Sequence, residues 1–162
     1  MISARVLAAF GLTAALLSAA SPASAAKPVA EVEKHCIIEV LDTVDGVFKT
    51  APEVCFDSME ALQAVAFSPE ASVLGSNVVG THFTLKDYLG STATVMGTTC
   101  NGGSWLPTGG WNNNIESSYN YCGEDGTKFY DNSGCTLTAL TIAAAVPTLG
   151  TMNNKTSCVR YL

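Results

Sequence analysis

The stretch Trp111-Asn112-Asn113-Asn114-Ile115-Glu116-Ser117-Ser118-Tyr119-Asn120-Tyr121 decides how the rest of this chain reads. A shorter echo closes the protein: Asn153-Asn154-Lys155-Thr156-Ser157-Cys158-Val159-Arg160-Tyr161. Laid together without gaps, Asn113 falls on Asn153, Asn114 on Asn154, Ser117 on Ser157 and Tyr121 on Tyr161. Two copies of a loop running into a β-prone stretch, about forty residues apart, mark an internal repeat. A second register, one residue earlier in the first copy, puts Glu116 at the hydroxyl position instead of Ser117. The gapless match favours the later register.

Around these loops the composition is that of a β protein. From residue 78 onward Gly, Thr, Ser and Asn dominate, and short β-rich runs alternate with turn signals, the pattern of an all-β sandwich or barrel. Strands are expected at 78–85, 91–96, 117–121, 127–130, 137–142 and 158–161. The alanine run 143–146 is too short for a useful helix because Pro147 stops it. Upstream, the apolar, β-branched run 36–41, the turn pair Asp45-Gly46 and the run 47–50 predict a hairpin. Asp57 with Glu60 three residues on has the form of a capping box, and Met59, Leu62, Val65 and Ala66 follow at helical spacing. Residues 35–67 therefore read as a small β-β-α module, 68–77 as a linker, and 78–162 as the main domain.

The chain opens with Arg5, an apolar run over 6–17 and Ala23-Ser24-Ala25, the three parts of an export signal covering residues 1–25. Residues 26–34 form a polar leader. The whole chain carries a formal charge of −6; losing Arg5 with the signal leaves −6 − 1 = −7. An acidic chain without a Lys/Arg cluster argues against nucleic acid and anionic membranes as partners. All six cysteines, Cys36, Cys55, Cys100, Cys122, Cys135 and Cys158, follow the signal, which points to disulfides formed in an oxidising, extracellular setting. Among the connectivities open to them, neighbour pairing (Cys36–Cys55, Cys100–Cys122, Cys135–Cys158) is preferred. Each bridge then closes a loop of roughly 20 residues, worth about 3 kcal/mol by the chain-entropy estimate.

Upstream of the first loop, Phe83-Thr84-Leu85-Lys86-Asp87-Tyr88-Leu89-Gly90 spaces two aromatics and a glycine as aromatic-x4-aromatic-x-Gly. Tyr130-Asp131-Asn132-Ser133-Gly134-Cys135-Thr136-Leu137 occupies the matching place in the second half, with Cys135 for the aromatic and Leu137 for the glycine. An aromatic corner followed by Asn-Asn-x-x-Ser-Ser, here Asn113-Asn114-Ile115-Glu116-Ser117-Ser118, resembles the βγ-crystallin Greek-key motif. The N-terminal Cys55-Phe56-Asp57-Ser58 before a helix is similar to secreted bacterial crystallin-like proteins, a group that includes metalloproteinase inhibitors and killer-toxin-like proteins. The resemblance implies a mainly β fold, with two Greek-key motifs forming a crystallin-like sandwich over 78–162. It also implies calcium sites shared between the repeats. One takes the Ile115 carbonyl, the Ser117 hydroxyl and Asn154; the other takes the Lys155 carbonyl, the Ser157 hydroxyl and Asn114. Because the acidic-or-amide positions are all Asn, the expected affinity is weak, on the order of 10⁻⁴–10⁻³ M.

Little else carries chemistry. The chain has two histidines, His35 and His82, and no H-E-x-x-H, G-x-S-x-G or P-loop pattern, so it does not read as an enzyme. His82, beside Phe83 in a strand-like run, reads as a sheet or core histidine rather than a triad member with Asp87. Tyr88, Tyr119, Tyr121, Trp105 and Trp111 are the residues that would stack on a cell-wall glycan. Of the two tryptophans, Trp111 reads as core and Trp105 as exposed in the Gly-rich loop 101–110. That loop, following Cys100, is also what a protease inhibitor would present to an extracellular protease. Asn154-Lys155-Thr156 has the form of a glycosylation sequon. The leading functional reading is a secreted, disulfide-stabilised crystallin-like protein with a binding or structural role and weak calcium sites. Protease inhibition and killer-toxin-like antimicrobial action are the alternatives.

Overall fold

The computed structural model describes residues 32–69, 77–98, 100 and 102–162. The export signal, leader residues 26–31 and linker residues 70–76 lie outside the described residues. In order, the elements are β1 (His35–Val44), β2 (Val47–Thr50), β3 (Val54–Phe56), α1 (Met59–Ala66), β4 (Asn77–Phe83), β5 (Thr92–Gly97), β6 (Ser104–Trp105), β7 (Ser117–Asn120), β8 (Thr127–Tyr130), β9 (Ala139–Ile142) and β10 (Cys158–Tyr161).

Strands β4 to β7 make the first repeat and β8 to β10 the second. In the first sheet β5 pairs with β4 and β4 with β7, all antiparallel, and Ser118 of β7 adds an antiparallel bridge to Val146. In the second sheet β9 pairs with β8, β8 with β10 and β10 with β6. Each repeat thus sends its third segment into the other repeat's sheet: β6 lies beside β10, and Val146 lies beside β7. This exchange makes two interlocked Greek keys, and the fold is mainly β and crystallin-like.

The N-terminal segment is hydrogen-bonded into the same sheets. β1 runs parallel to β5, from His35 opposite Thr92 to Glu39 opposite Met96, while its far half turns to pair with β2. A single bridge, Val47 to Ser104, carries β2 onto β6. The long bent β1 therefore joins the two sheets along one side of the sandwich. β5, flanked by β4 and β1, is buried along its whole length, as expected of a strand covered on both faces.

Between the sheets sit Val79, Ala93, Val95, Trp105, Trp111, Ile115, Phe129, Val159 and Tyr161. A smaller cluster, Ile37, Leu62, Ala66 and Met96, fills the space under α1 on the outer face of the first sheet. The helix starts one residue later than Asp57 suggests: Ser58 is the N-cap, its Oγ accepting from the Ala61 amide at 3.2 Å. Either residue type caps well, and three-residue spacing to an exposed amide donor decides between them. Trp105 is also not exposed; it is 4% accessible and stacks on His82 inside the sandwich. Gly103 makes this entry possible, because a Cβ there would sit 1.8 Å from Cε1 of Phe48. All three disulfides join neighbours in sequence: Cys36–Cys55, Cys100–Cys122 and Cys135–Cys158.

Candidate metal centre

The two Asn-rich loops meet, and they meet symmetrically. Asn113 donates its backbone N–H to the Thr156 carbonyl at 2.9 Å, and Asn154 donates its own to the Ile115 carbonyl at 3.1 Å. The side chains repeat the exchange: the Ser157 hydroxyl lies 3.0 Å from Asn113 Oδ1, and Asn154 Nδ2 lies 2.7 Å from Glu116 Oε1. Every pair is related by 41 positions, so Asn113 matches Asn154, Ile115 matches Thr156 and Glu116 matches Ser157. Both Asn113 (φ 57°) and Asn154 (φ 55°) take the left-handed conformation, which asparagine tolerates better than most residues. Each follows a single 3₁₀ turn, Gly109–Trp111 or Gly150–Met152, whose first glycine is also left-handed.

Contacts further out fix the same register. The Glu116 amide donates to the Phe83 carbonyl at 2.9 Å, and the Ser157 amide donates to the Tyr130 carbonyl at 2.8 Å. Ser117 Oγ donates to the Leu85 carbonyl at 2.6 Å and accepts from the Tyr88 amide at 3.1 Å, which pins the aromatic corner. In the second repeat the corresponding pair, Cys158 and Cys135, is joined covalently. A disulfide thus stands where the first repeat has a hydrogen bond, and this accounts for the missing aromatic at Cys135. Gly90, at φ +78°, completes the first corner; a Cβ there would lie 2.5 Å from Thr84 Oγ1.

The pseudo-symmetry selects the register that places Glu116, not Ser117, at the loop-to-loop contact. Ile115 and Ser117 are fully buried, and both are already committed, Ile115 through its carbonyl and Ser117 through its hydroxyl. Asn114, Asn154, Lys155 and Ser157 do lie in the paired loops. Asn114 Nδ2, however, bonds back to the Gly110 carbonyl at 3.0 Å rather than across to the other loop. The residues brought face to face are Asn113 with Ser157 and Asn154 with Glu116. The gapless repeat hides this, because the two motifs are offset by 41 positions and an all-Asn run slides by one residue without penalty.

These pairs suit a hard cation. Oxygens sharing one calcium at about 2.4 Å lie roughly 3 Å apart, which is the spacing of Ser157 Oγ and Asn113 Oδ1. In the other pair the Asn154 amide presents its nitrogen to Glu116, and rotating the amide would present oxygen instead. A separate grouping, Cys36, Cys55 and Glu53, is not a metal site, because its two sulfurs are bonded to each other. Glu53 has another partner: its Oε2 accepts from Trp111 Nε1 at 2.9 Å, so the N-terminal segment braces the first loop.

His82 sits at the centre of the sandwich with no exposed surface. Its Nδ1 is 2.9 Å from Ser118 Oγ and its Nε2 is 2.7 Å from the Tyr161 hydroxyl. Ser118 Oγ in turn lies 3.3 Å from the Thr81 carbonyl. One assignment satisfies all three contacts: Nδ1–H donates to Ser118, Ser118 donates to Thr81, and Tyr161 donates to Nε2. Burial drives the imidazole down to about 3 and the Tyr161 phenol upward. A neutral, sealed imidazole ties the sheets together and is not available to substrate. Of the residues that would stack on a glycan, Trp105 and Trp111 are buried, and Tyr88 and Tyr119 stack on each other with centroids 4.3 Å apart. Those two tyrosines each spend a face on the other.

No protein-family model and no curated protein matches the chain. Among solved structures it is similar to the N-terminal domain of Protein S, at 24% identity over 50% of this chain and 91% of that one, with a TM-score of 0.39. It is also similar to a βγ-crystallin domain from Clostridium beijerinckii, at 19% identity over 51% of this chain and 94% of that one, with a TM-score of 0.41. These overlaps are shallow. The crystallin-like character of the fold rests on the strand exchange between its two Greek keys.

Proposed function

We propose that this is an exported, disulfide-stapled crystallin-like protein with a structural or binding role, and that its paired loops take two calcium ions weakly. One site would draw on the Asn114 carbonyl, the Glu116 carboxylate and Asn154, the other on the Lys155 carbonyl, the Ser157 hydroxyl and Asn113. The observation that carries this reading is the reciprocal contact of Ser157 with Asn113 and of Asn154 with Glu116. Oxygen-bearing side chains from two distant parts of the chain converge there twice. A bound ion would cross-link the two Greek keys and so act as a stabiliser rather than a catalyst.

Export is supported by the signal-like N-terminus and by three disulfides among six cysteines, with none left free. No helix among the described residues is long and apolar enough to cross a membrane. An inhibitor would need the disulfide-held loop after Cys100 to stand free, yet Ser104 and Trp105 are buried in the second sheet. A killer-toxin-like action suits a basic or membrane-active surface, and this chain is acidic.

The test is thermal. At 10 mM calcium, ten times a dissociation constant of about 10⁻³ M, each site adds about 1.4 kcal/mol to the native state. The melting temperature should rise by several degrees over a sample held in chelator. Identical melting curves would remove the ion from this reading and leave the fold.

A further inference from the structure

We infer that the two ion sites are unequal, the site containing Glu116 filling first and the site containing Ser157 only afterwards. This rests on the calcium reading above and adds an order and a cause. Pseudo-symmetry puts Glu116 and Ser157 at matching positions, so one site has a carboxylate where the other has a neutral hydroxyl. Calcium affinity follows the number of charged ligands, and that number differs between the two sites.

Charge is the first difference. Glu116 gives its site a formal negative ligand. The second site draws only on uncharged oxygens, and Lys155, which lends its carbonyl, brings an ammonium into the same loop.

Anchoring to the rest of the fold is the second. The first loop is held by two bonds that the second lacks. Trp111 Nε1 donates to Glu53 at 2.9 Å, and Asn114 Nδ2 donates to the Gly110 carbonyl at 3.0 Å. The matching residues are Met152, which has no N–H in its side chain, and Lys155, which has no amide. The second loop has bonds of its own: Thr148 Oγ1 lies 3.3 Å from Asn153 Oδ1 and accepts from the Gly150 amide at 3.2 Å, and the Asn153 amide donates to the Gly150 carbonyl at 3.2 Å. The first loop is therefore tied to the N-terminal segment, whereas these contacts of the second stay within the loop.

Titration of the full disulfide-bonded chain with calcium alone, followed by calorimetry, reads the order directly. Two steps are expected, separated on the order of tenfold or more in affinity. Glu116→Gln keeps the shape and the contact with Asn154 but removes the charge; it should erase the tighter step and leave the weaker one. Asn113→Asp adds a charge to the other site and should bring the two steps together. Thermal melts of both variants without calcium should stay near wild type, which separates ion effects from folding effects. Two equal sites in the wild type, or a tight step that survives Glu116→Gln, would overturn the ordering while keeping the ions. No heat and no thermal shift in the wild type would overturn the calcium reading itself.

Discussion

Acid should weaken this protein through its buried His82. In the folded state the imidazole is enclosed by Trp105, Phe129 and Tyr161 and has no contact with solvent. Burial holds its pKa at about 3 against an ordinary value of 6.5. The unfolded chain therefore binds a proton that the native state refuses at every pH between those values. Stability rises with pH wherever the unfolded state binds more protons. The native state is accordingly favoured in full above pH 6.5, and the advantage drains away as the pH falls toward 3. A gap of about 3.5 units corresponds to roughly 5 kcal/mol at the acid end, and about 2 kcal/mol is already lost at pH 5. For a domain whose total stability is on the order of 5–15 kcal/mol, that is a substantial share. The assay is chemical denaturation from pH 7.5 to 3.5 on the wild type and on His82→Gln. The variant should be less stable at neutral pH, because Ser118 and Tyr161 lose a well-placed partner, by about 1–3 kcal/mol. Its stability should nevertheless fall less steeply between pH 6.5 and 4, since carboxylate contributions are common to both proteins. Parallel slopes, or a folded-state imidazole that titrates near 6.5 by NMR, would refute the argument.

Ser117→Ala should destabilise the fold by about 1–3 kcal/mol, because the Leu85 carbonyl and the Tyr88 amide both lose the hydroxyl. Calcium affinity should not change; a variant that folds normally but loses an ion would restore Ser117 as a ligand. Thr156→Val should be neutral or stabilising by about 1 kcal/mol. The Thr156 hydroxyl is buried without a hydrogen-bond partner among the described residues, and valine has the same shape without the oxygen. A clear loss in melting temperature would show that the hydroxyl has a partner after all.

Much of the architecture was legible because it depends on local chemistry. Alternating β-prone runs, the Asn-rich loops and the aromatic corner at Phe83 and Tyr88 are written in contiguous residues, and it is their resemblance to the βγ-crystallin motif that implies Greek keys. The presence of disulfides was legible from six cysteines, while their connectivity was only a preference among the open ones; the structure joins neighbours, at separations of 19, 22 and 23 residues. Other features were not legible. Nothing in the run 36–41 says that β1 will lie parallel to β5, because a parallel partner is chosen by the free edge that remains once the Greek key has formed. Trp105 sits among glycines and reads as exposed, yet one of them, Gly103, lets the chain approach Phe48 closely, and Trp105 two residues on is buried.

The sequence by itself determined that there are two alike loops, six cysteines to staple the chain and a run of short strands to hold the loops. Tertiary structure alone decided which asparagine faces which oxygen. Sliding a polar Asn run by one position costs nothing in local propensity, so sequence is nearly silent on register. In the folded protein the same slip would break two backbone bonds between the loops, Asn113 to Thr156 and Asn154 to Ile115, and would turn the buried Ile115 out of the core. That penalty is paid only across the interface between repeats, and it places Glu116 rather than Ser117 at the candidate site.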